Sequence, residues 1–546
     1  MRYLLASLLL TAACINKTRP AEPAAPTFRD IAHETGLVFQ HVNGATGQLY
    51  MPEIMGSGAA LFDFDNDGDL DVLLIQGGSV EHPATGVHNR LFRNELIPSG
   101  KLTFTDVTAN SGLQGSEYGM GVAVADIDND GRPDLLITNY GANHLYRNEG
   151  GGRFKDVTAE SPAVRRESYW SSSAAFFDYD RDGWQDLVIL SYVDFTIRGN
   201  KKCSAPTGEP DYCTPVAYRP EAAALFHNEH GRFVDVTSKA GLDRARGPGL
   251  GVVAIDVDRD GWLDLFVAND TTQNHLWINQ RDGTFRESAL EHGIAYGEEG
   301  QPKAGMGVAA GDYDRDGFED LLVLNLMREG ASLFRNDGKG FFTDVSLKTR
   351  IHGLTLPYTG FGAGWFDYDN DGCPDVFMSN GAVTLREGQR AQGRSPYAER
   401  NLLLRGSCGL KPFEDVTPQA GPDMNLLEVT RAAAFADIDN DGRVDILITT
   451  NNGPARLLHN ETRPIGNWLS IDVAKPATKV GIFPAGTPPQ WKTSRTDGSY
   501  LSASEPRLHF GLADAVKIDR LVIERPDGTR QEMRHVQANR IIHPNR

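Results

Sequence analysis

Seven copies of an acidic nine-residue pattern, Asp-x-Asp-x-Asp-Gly-x-x-Asp, run through this chain of 546 residues. Carboxylates two residues apart can converge on one hard cation only where the backbone curls tightly, and Gly at position 6 permits that turn. We therefore predict about seven structural Ca²⁺ ions, one in each acidic loop, bound by the Asp side chains at positions 1, 3, 5 and 9. Numbered along the chain as acidic loops 1 to 7, the predicted ligand sets are Asp63, Asp65, Asp67 and Asp71; Asp126, Asp128, Asp130 and Asp134; Asp178, Asp180, Asp182 and Asp186; Asp256, Asp258, Asp260 and Asp264; Asp312, Asp314, Asp316 and Asp320; Asp367, Asp369, Asp371 and Asp375; and Asp437, Asp439, Asp441 and Asp445.

The pattern matches the first half of an EF-hand loop but lacks its last ligand. An EF-hand carries Glu at position 12, whereas Leu74 stands there in the first copy. The flanking runs 72–75, 135–138 and 265–268 are apolar, which predicts buried strands rather than helices. The sequence thus predicts calcium loops inside β-hairpins, in which Asp at position 9, the position-7 carbonyl and water complete the coordination shell.

Calcium also accounts for the acidity of the chain. The formal net charge is −19, and the seven loops hold 28 Asp at ligand positions. Seven Ca²⁺ ions would leave a charge of about −5, which is ordinary for a soluble protein. An acidic surface of this kind argues against a nucleic-acid partner.

The first thirteen residues have the features of an export signal. Arg2 supplies a positive charge, residues 3–10 an apolar run, and residues 11–13 small side chains ahead of Cys14. Small residues before a Cys resemble a bacterial lipobox, which predicts cleavage and lipidation at Cys14. Thr11 stands where such signals usually carry Leu, so an ordinary secretory signal is the alternative.

A tether is predicted over residues 14–27, which are rich in Pro, Ala and charge. No other apolar run approaches the roughly 20 residues of a membrane span. We therefore expect an exported lipoprotein of the cell envelope or cell surface that touches the membrane only through its N-terminal lipid, with a secreted protein as the alternative. Ile15 after the Cys favours the outer membrane if the cell is Gram-negative.

The acidic loops lie within a longer repeat. Each unit reads Phe-x-Asp-Val-Thr, then small residues with Gly, the loop, a strand and Leu-x-x-Asn, and successive loops begin 52 to 78 residues apart. This period with strands throughout predicts an all-β fold, a seven-bladed β-propeller over residues 28–465 with four strands in each blade. The opening elements are placed at Phe28, Phe104, Phe154, Phe233, Phe285, Phe341 and Phe413.

The two ends of the repeat predict how the ring closes. The seventh unit ends at residues 457–461 without a following opening element, whereas an unattached opening element stands at residues 28–31. A ring in which residues 28–31 complete the last blade accounts for this offset. An open array would leave both half-units exposed.

Five longer runs stand outside the acidic loops, at residues 41–47, 51–56, 268–272, 304–308 and 506–512. Together with the repeat they resemble a known family, the FG-GAP (VCBS) repeat propellers that end in an ASPIC/UnbV domain, of the cartilage-acidic-protein type. The resemblance implies an integrin-like seven-bladed propeller, export, and recognition rather than established catalysis.

A small C-terminal β-domain is predicted over residues 466–546. Residues 468–473 alternate as a strand does, and Asp527 with Gly528 indicates a hairpin. The sequence departs from the family between residues 473 and 490, where a longer Arg- and Gly-containing loop is missing.

Residues 191–224 form an insertion after the strand of acidic loop 3 that also resembles the family. In an exported protein Cys203 and Cys213 predict a disulfide that staples this insertion. Its aromatic residues suit a binding loop, and the alternative is a loop that covers the propeller and buries them. Cys373 and Cys408 are predicted to form a second disulfide, although spacing alone does not prove the pairing.

No catalytic motif is evident in the sequence. The best candidates for a ligand site outside the loops are Glu53, Asp270, Glu298 and Glu299, which could line one propeller face. The main hypothesis is a calcium-stabilised recognition or scaffold protein that binds an unidentified protein or glycan. The alternative is an extracellular hydrolase or lyase that acts on polysaccharide or lipid in a propeller-face pocket, with Ca²⁺ as a Lewis acid.

Overall fold

The computed structural model describes residues 25–81, 86–113, 115, 117–385, 395–473 and 475–544. The predicted export signal, Cys14 and most of the tether lie outside these residues. The described chain folds into strands joined by turns, as an all-β protein should.

Seven sheets within these ranges each contain four antiparallel strands with one acidic loop between the first two, and the sheet of acidic loop 1 has a fifth, parallel strand, Ser502–Ala503. We call them blades 1 to 7 after their loops. Blade 1 comprises Ala59–Phe62, Asp71–Leu74, Arg90–Asn94 and Phe104–Asp106; blade 2 comprises Tyr118–Ala125, Asp134–Tyr140, His144–Asn148 and Phe154–Asp156; blade 3 comprises Ser171–Phe177, Asp186–Ser191, Ala224–Asn228 and Phe233–Asp235; blade 4 comprises Gly249–Ile255, Asp264–Asn269, His275–Asn279 and Phe285–Glu287. Blade 5 comprises Val308–Gly311, Asp320–Val323, Ser332–Asn336 and Phe342–Asp344; blade 6 comprises Gly360–Phe366, Asp375–Asn380, Leu402–Arg405 and Glu414–Asp415; blade 7 comprises Thr430–Ala436, Asp445–Thr450, Arg456–Asn460 and Phe28–Asp30.

The blades form a closed ring around a central channel. The first strands contact one another in cyclic order, and the first strand of blade 7 contacts that of blade 1. Apolar residues on both faces of the second strands, such as Val72 and Leu73, are fully buried because each blade packs between two others. This architecture is a β-propeller.

The N-terminal strand closes the ring by pairing with the third strand of blade 7. Phe28 lies opposite Asn460 and Asp30 opposite Leu458. Phe28 is 1% exposed and contacts Phe366 of blade 6 at 6.4 Å between ring centroids. The strand therefore belongs to the core of the ring despite its position at the start of the repeat.

One predicted opening element lies one residue away from its place in the structure. The outer strand of blade 5 begins at Phe342, which pairs with Asn336 and is buried, whereas Phe341 is 52% exposed. The motif Phe-x-Asp-Val-Thr also selects Phe342, which stands two residues before Asp344, whereas Phe341 stands three residues before it. The prediction of Phe341 was wrong for this reason.

The helices of the described chain are single turns at the ends of blades. The α-helical turns are Pro52–Met55, Leu96–Ser99, Thr108–Ser111, Thr237–Ala240 and Ile351–Thr355, and the 3₁₀ turns are Thr158–Glu160, Pro162–Arg165, Pro215–Ala217, Leu242–Arg244, Thr417–Gln419 and Asp423–Asn425. None of these helices is long and apolar enough to cross a membrane. Two short pairs of strands, Cys203–Ser204 with Pro210–Asp211 and Glu399–Arg400 with Leu427–Glu428, complete the propeller.

The C-terminal residues form two small sheets with a separate apolar core. One contains Leu508–Ala513, Asn467–Ile471 and Arg540–Ile542, and the other contains Gln490–Thr493, Lys479–Phe483, Lys517–Glu524 and Arg530–Gln537. The last two strands form the hairpin that Asp527 and Gly528 predict, with the Arg525 amide donating to the Thr529 carbonyl at 2.9 Å.

A segment of this C-terminal part, residues 495–504, fills the central channel. Tyr500 and Leu501 are at most 1% exposed, and Ser502–Ala503 adds a parallel strand to blade 1. The segment is bonded to or paired with the first strand of every blade, through Ala59, Val122, Ser173, Ala254, Val308, Ala363 and Ala433. The channel is therefore packed with the chain's own residues.

Candidate metal centres and the cleft beside them

Each acidic loop turns its carboxylates inward through two left-handed backbone positions. In acidic loop 1 these are Asn66 at position 4, with φ 59°, and Gly68 at position 6, with φ 98°. The turn allows the position-1 carboxylate of Asp63 to accept the amides of Asp67 at 3.1 Å and Gly68 at 2.9 Å. Acidic loops 2, 4, 5, 6 and 7 repeat both bonds, so the geometry follows from the nine-residue pattern itself.

The position-9 Asp has an additional role that the sequence did not reveal. In acidic loop 1, Asp71 accepts the amide of Phe64 at 3.0 Å and the amide of Asn94 at 2.8 Å. The equivalent bonds occur in all seven blades. This Asp therefore joins the loop to the third strand of its own blade as well as facing the other carboxylates.

The residues of the loops fit a hard cation. In acidic loops 1, 2 and 3, carboxylate oxygens from positions 1, 3 and 9 lie within 4.8 Å of one another, which is about the diameter of a calcium coordination shell. The position-3 oxygens Asp65 Oδ1, Asp128 Oδ1, Asp314 Oδ1 and Asp439 Oδ1 are buried and lack a hydrogen-bond partner in the described structure. A buried carboxylate oxygen without a donor is costly, and a bound cation would remove that cost.

The pKa values of the loop carboxylates also show that their ionised forms are unfavourable when no cation is bound. Burial, followed by repulsion from neighbouring carboxylates, raises the pKa of Asp63 to about 6 and that of Asp71 to about 9. Burial likewise raises the pKa of Asp264 to about 8 and that of Asp320 to about 9. Without a cation, Asp71, Asp264 and Asp320 therefore favour the protonated form near neutral pH.

A pH dependence of stability follows from these shifts. A raised pKa in the folded state stabilises the protein below the unfolded pKa, and that stability is lost as pH rises through the folded pKa. We therefore expect the melting temperature of metal-free protein to fall between about pH 5 and about pH 9, while saturating calcium, which holds the carboxylates ionised, removes most of the fall. Thermal unfolding of dialysed protein at a series of pH values tests this. A metal-free melting temperature that rises over this interval would contradict it.

Neighbouring blades are joined through the acidic loops by the Asn of the Leu-x-x-Asn motif. Asn148 of blade 2 donates through Nδ2 to the carbonyl of Phe64, at position 2 of acidic loop 1, at 2.8 Å. The corresponding pairs are Asn228 with Ile127, Asn279 with Tyr179, Asn336 with Val257, Asn460 with Tyr368 and Asn94 with Ile438. Blade 6 carries Gly406 at this position. The geometry of a loop is thereby coupled to the packing of the next blade.

The side chain at position 4 of an acidic loop makes a second link between neighbouring blades, because it reaches forward to the loop of the next blade. Asn66 Nδ2 donates to the carbonyl of Gly131, at position 6 of the next loop, at 3.1 Å. Asn129 and Asn370 make the same bond to Gly183 and Gly442. In acidic loop 4 this position is Arg259, which reaches the Gly317 carbonyl at 2.7 Å.

Acidic loops 3, 4 and 5 differ from the others in a way that the sequence analysis missed. They carry Arg at position 4 and an aromatic residue at position 7, whereas the other four loops carry Asn at position 4 and Asp, Arg or Cys at position 7. The Arg and aromatic residues are Arg181 and Trp184, Arg259 and Trp262, and Arg315 and Phe318. Aligning the seven copies would have exposed this difference.

The Arg of one loop lies over the aromatic ring of the next. The Arg181 guanidinium is 5.6 Å from the Trp262 ring centroid, and the Arg259 guanidinium is 4.4 Å from that of Phe318. Arg181 also donates to the Pro526 carbonyl of the C-terminal part at 2.9 Å. These loops therefore form an alternating row of cations and rings across blades 3 to 5.

This row lines a cleft of about 880 Å³ between the propeller and the C-terminal part. The propeller side includes Arg181, Arg259, Trp262 and Phe318, and the opposite side includes residues 475–479 and 524–528. The volume lies within the range of small-molecule sites, which is roughly 300 to 1,000 Å³. The cleft is therefore a candidate ligand site.

The acidic residues predicted to line one propeller face do not form one site. Glu53 is fully buried and accepts the hydroxyl of Tyr212 at 3.2 Å, and burial raises its pKa. Asp270 is buried and accepts the hydroxyl of Tyr192 at 2.5 Å, while burial raises its pKa to about 7. Glu298 and Glu299 are exposed. The four residues are thus divided between a covered interior and the surface.

The stapled insertion covers one end of the channel. A disulfide joins Cys203 and Cys213, with Cα atoms 5.1 Å apart. Tyr192, Phe195 and Tyr212 of the insertion are at most 7% exposed and pack in the same apolar cluster as Tyr500. The structure therefore favours the covering role of the insertion over the binding role. A second disulfide joins Cys373, at position 7 of acidic loop 6, to Cys408.

Comparison with known proteins agrees with this architecture. Residues 63–137, 126–189, 256–323 and 312–378 match the family described as FG-GAP-like repeat, and residues 477–544 match the family described as ASPIC and UnbV. The chain thus carries FG-GAP-like repeats followed by an ASPIC/UnbV domain.

The chain is similar to cartilage acidic protein 1 from two vertebrates. It is 25% identical to the Xenopus tropicalis protein over 512 residues, which span 87% of this chain and 71% of the relative. It is 24% identical to the Mus musculus protein over 500 residues, which span 84% and 69% respectively. The predicted resemblance to proteins of this type is confirmed.

Solved structures show more distant likenesses. A lectin from Burkholderia pseudomallei has a TM-score of 0.41 and 11% identity, covering 74% of this chain and 95% of the lectin. An Agrocybe aegerita lectin, described as recognising non-reducing terminal N-acetylglucosamine, has a TM-score of 0.41 and 15% identity, covering 73% and 87%. Similarities at this level do not identify a ligand for this chain.

Proposed function

We propose that this protein is a calcium-stabilised recognition or scaffold protein that acts outside the cytoplasm and binds a protein or glycan at the cell surface. The observation that supports this most directly is the filled channel. Tyr500 and Leu501 occupy the centre of the ring, where a propeller enzyme could hold its substrate. A ligand would therefore bind on the outer surfaces of the propeller or in the cleft beside the C-terminal part. The packed blades would hold these surfaces in place.

Calcium is proposed to stabilise this frame. The acidic loops supply carboxylates and backbone carbonyls, which are hard oxygen ligands, in the number that suits the larger coordination shell of Ca²⁺ better than that of Mg²⁺. The two disulfides are typical of proteins in oxidising compartments outside the cytoplasm, where calcium is abundant. Seven bound Ca²⁺ ions would also bring the net charge of the chain close to that of an ordinary soluble protein.

A binding experiment paired with an activity panel tests the proposed function. Purified calcium-loaded protein is used as bait in native envelope extracts and on glycan arrays, and the same glycans and lipids are assayed for hydrolysis and elimination products. We expect saturable capture that EGTA abolishes, without product formation. Catalytic turnover without a retained ligand would overturn the proposal and favour the hydrolase or lyase alternative.

We further propose that lipid on Cys14 anchors the protein to the envelope. Wild type is expected to fractionate with membranes and to label with a palmitate analogue, whereas Cys14→Ser should lose the label and leave the membrane fraction. Thr11→Leu, which restores the usual lipobox residue, is the matched control and should label at least as well as wild type. Unlabelled wild type in the culture medium would show that the signal is an ordinary secretory one.

A further inference from the structure

We infer that the cleft between acidic loops 3 to 5 and the C-terminal part binds an acidic oligosaccharide, a chain of sugars that carry carboxylate groups. The inference rests on the proposed recognition function and identifies its ligand class. It is carried by the row of Arg and aromatic side chains, by the surplus of cations in the cleft and by the mixed hydrogen-bonding groups of its walls.

The row of Arg and aromatic side chains repeats from one blade to the next, so a polymer with a similar repeat could contact several units at once. Arg181 lies over Trp262, and Arg259 over Phe318, so two cation and ring units follow one another on adjacent blades. Each guanidinium offers five donors in a planar fork that suits a carboxylate, and each has one hydrogen bond to a carbonyl, at Pro526 and Gly317 respectively. A chain that repeats a sugar ring and a carboxylate presents the complementary units.

The charge of the cleft selects an anion. Its lining includes the cations Arg181, Arg259, Lys475, Lys479, Arg495 and Arg525. The lining acids other than predicted metal ligands are Glu319, Asp497, Glu524 and Asp527. Arg495 forms ion pairs with Glu319 at 2.6 Å and with Asp497 at 3.8 Å, which neutralise the charge of its guanidinium. Cations therefore outnumber acids along the rest of the lining.

The polar groups of the walls favour a saccharide over a nucleic acid. Glu524 and Asp527 can accept hydrogen bonds from sugar hydroxyls, of which a nucleic-acid backbone has few. A saccharide with both hydroxyls and carboxylates satisfies donors and acceptors together.

Oligogalacturonate of several sugar units is a suitable probe, and the same oligosaccharide with methyl-esterified carboxylates is its neutral counterpart. Binding is measured by calorimetry on the calcium-saturated full chain, with excess free calcium to prevent competition for the metal. We expect the carboxylate form to bind at least about tenfold more tightly than the ester, because charged hydrogen bonds to Arg are lost in the ester.

The variants follow from the loops themselves. Arg181→Asn with Arg259→Asn introduces the residue that four other loops carry at position 4, so the loops should still fold. We expect this double variant, and separately Trp262→Ala, to weaken binding about tenfold. Trp184→Ala is the matched control, because Trp184 holds the same loop position but packs against His230 and is not among the described residues of the cleft wall. It should bind within about twofold of wild type.

Three results would overturn the inference: equal binding of the acid and the ester, unchanged binding by the Arg181→Asn and Arg259→Asn double variant, or stronger binding of a single-stranded oligothymidylate than of oligogalacturonate. If wild type captures an envelope ligand but does not bind oligogalacturonate, only the ligand class fails. If it captures no ligand at all, the proposed recognition function fails with it.

Discussion

Removing calcium with excess EGTA is expected to lower the melting temperature by about 10 °C. A site filled to ten times its Kd contributes about 1.4 kcal/mol to the free energy of unfolding, so seven independent sites contribute about 10 kcal/mol. This is comparable to the whole stability of a typical domain, roughly 5 to 15 kcal/mol. With an unfolding entropy of about 2.1 cal/mol/K per residue, the melting temperature of a propeller of this size shifts by about 1 °C per kcal/mol, so the expected shift is about 10 °C.

The structure gives a physical reason for a large effect. The loop of one blade accepts the Asn side chain of the next blade, as Asn148 donates to Phe64, so a loop distorted by carboxylate repulsion also weakens an interface between blades. Calorimetry in calcium, in EGTA and after calcium is restored measures the shift. A change of only a few degrees would show that calcium is not a structural component.

A single loop provides a sharper comparison. Asp128→Asn removes one position-3 carboxylate, whose Oδ1 is buried without a partner. In calcium this variant should melt about 1 to 2 °C below wild type, because one site is weakened by about 1 to 2 kcal/mol. In EGTA it should melt at the same temperature or higher, because one repelling charge is gone. A deficit of the same size in both conditions would indicate a packing defect instead.

Deleting residues 28–36 is expected to destabilise blades 7 and 1 together, although the deletion lies at the far end of the sequence from blade 7. It removes the outer strand of blade 7 and the buried ring of Phe28, which alone should be worth about 3 to 5 kcal/mol. It also removes the bond from Arg456 to Asp30 at 2.7 Å. The exposed edge of blade 7 would then be free to fray.

Hydrogen exchange measured along the chain distinguishes this outcome from general loss of stability. Exchange should accelerate first in residues 430–460 and 59–106, and later in blades 3 to 5. The control is deletion of residues 15–24, because Pro26 is already buried and the Thr27 carbonyl accepts the Glu461 amide at 2.8 Å. Equal and small effects of the two deletions would disprove closure by the N-terminal strand. Phe28→Ala should reproduce the larger deletion in milder form.

The amino-acid sequence alone determined the features that arise from local spacing. The acidic loops, their Gly turns and the flanking strands depend on residues within about a dozen positions of one another, so the pattern predicts them directly. The closure of the ring was also predictable from the sequence. The opening element at residues 28–31 precedes the first unit, and the seventh unit is not followed by an opening element, so the two ends complete one blade. The sequence also determined the register at Phe341 and Phe342, because only Phe342 stands two residues before Asp344 as the motif requires.

The tertiary structure decided the features that depend on distant residues. The filling of the channel by Tyr500, the burial of Glu53 and Asp270, and the stacking of Arg259 on Phe318 each join positions that no local period relates. Their energies come from packing and desolvation at contacts that exist only once the ring is formed. The repeat therefore specifies the propeller and its acidic loops, and the packing of the propeller decides which surfaces remain open to a ligand.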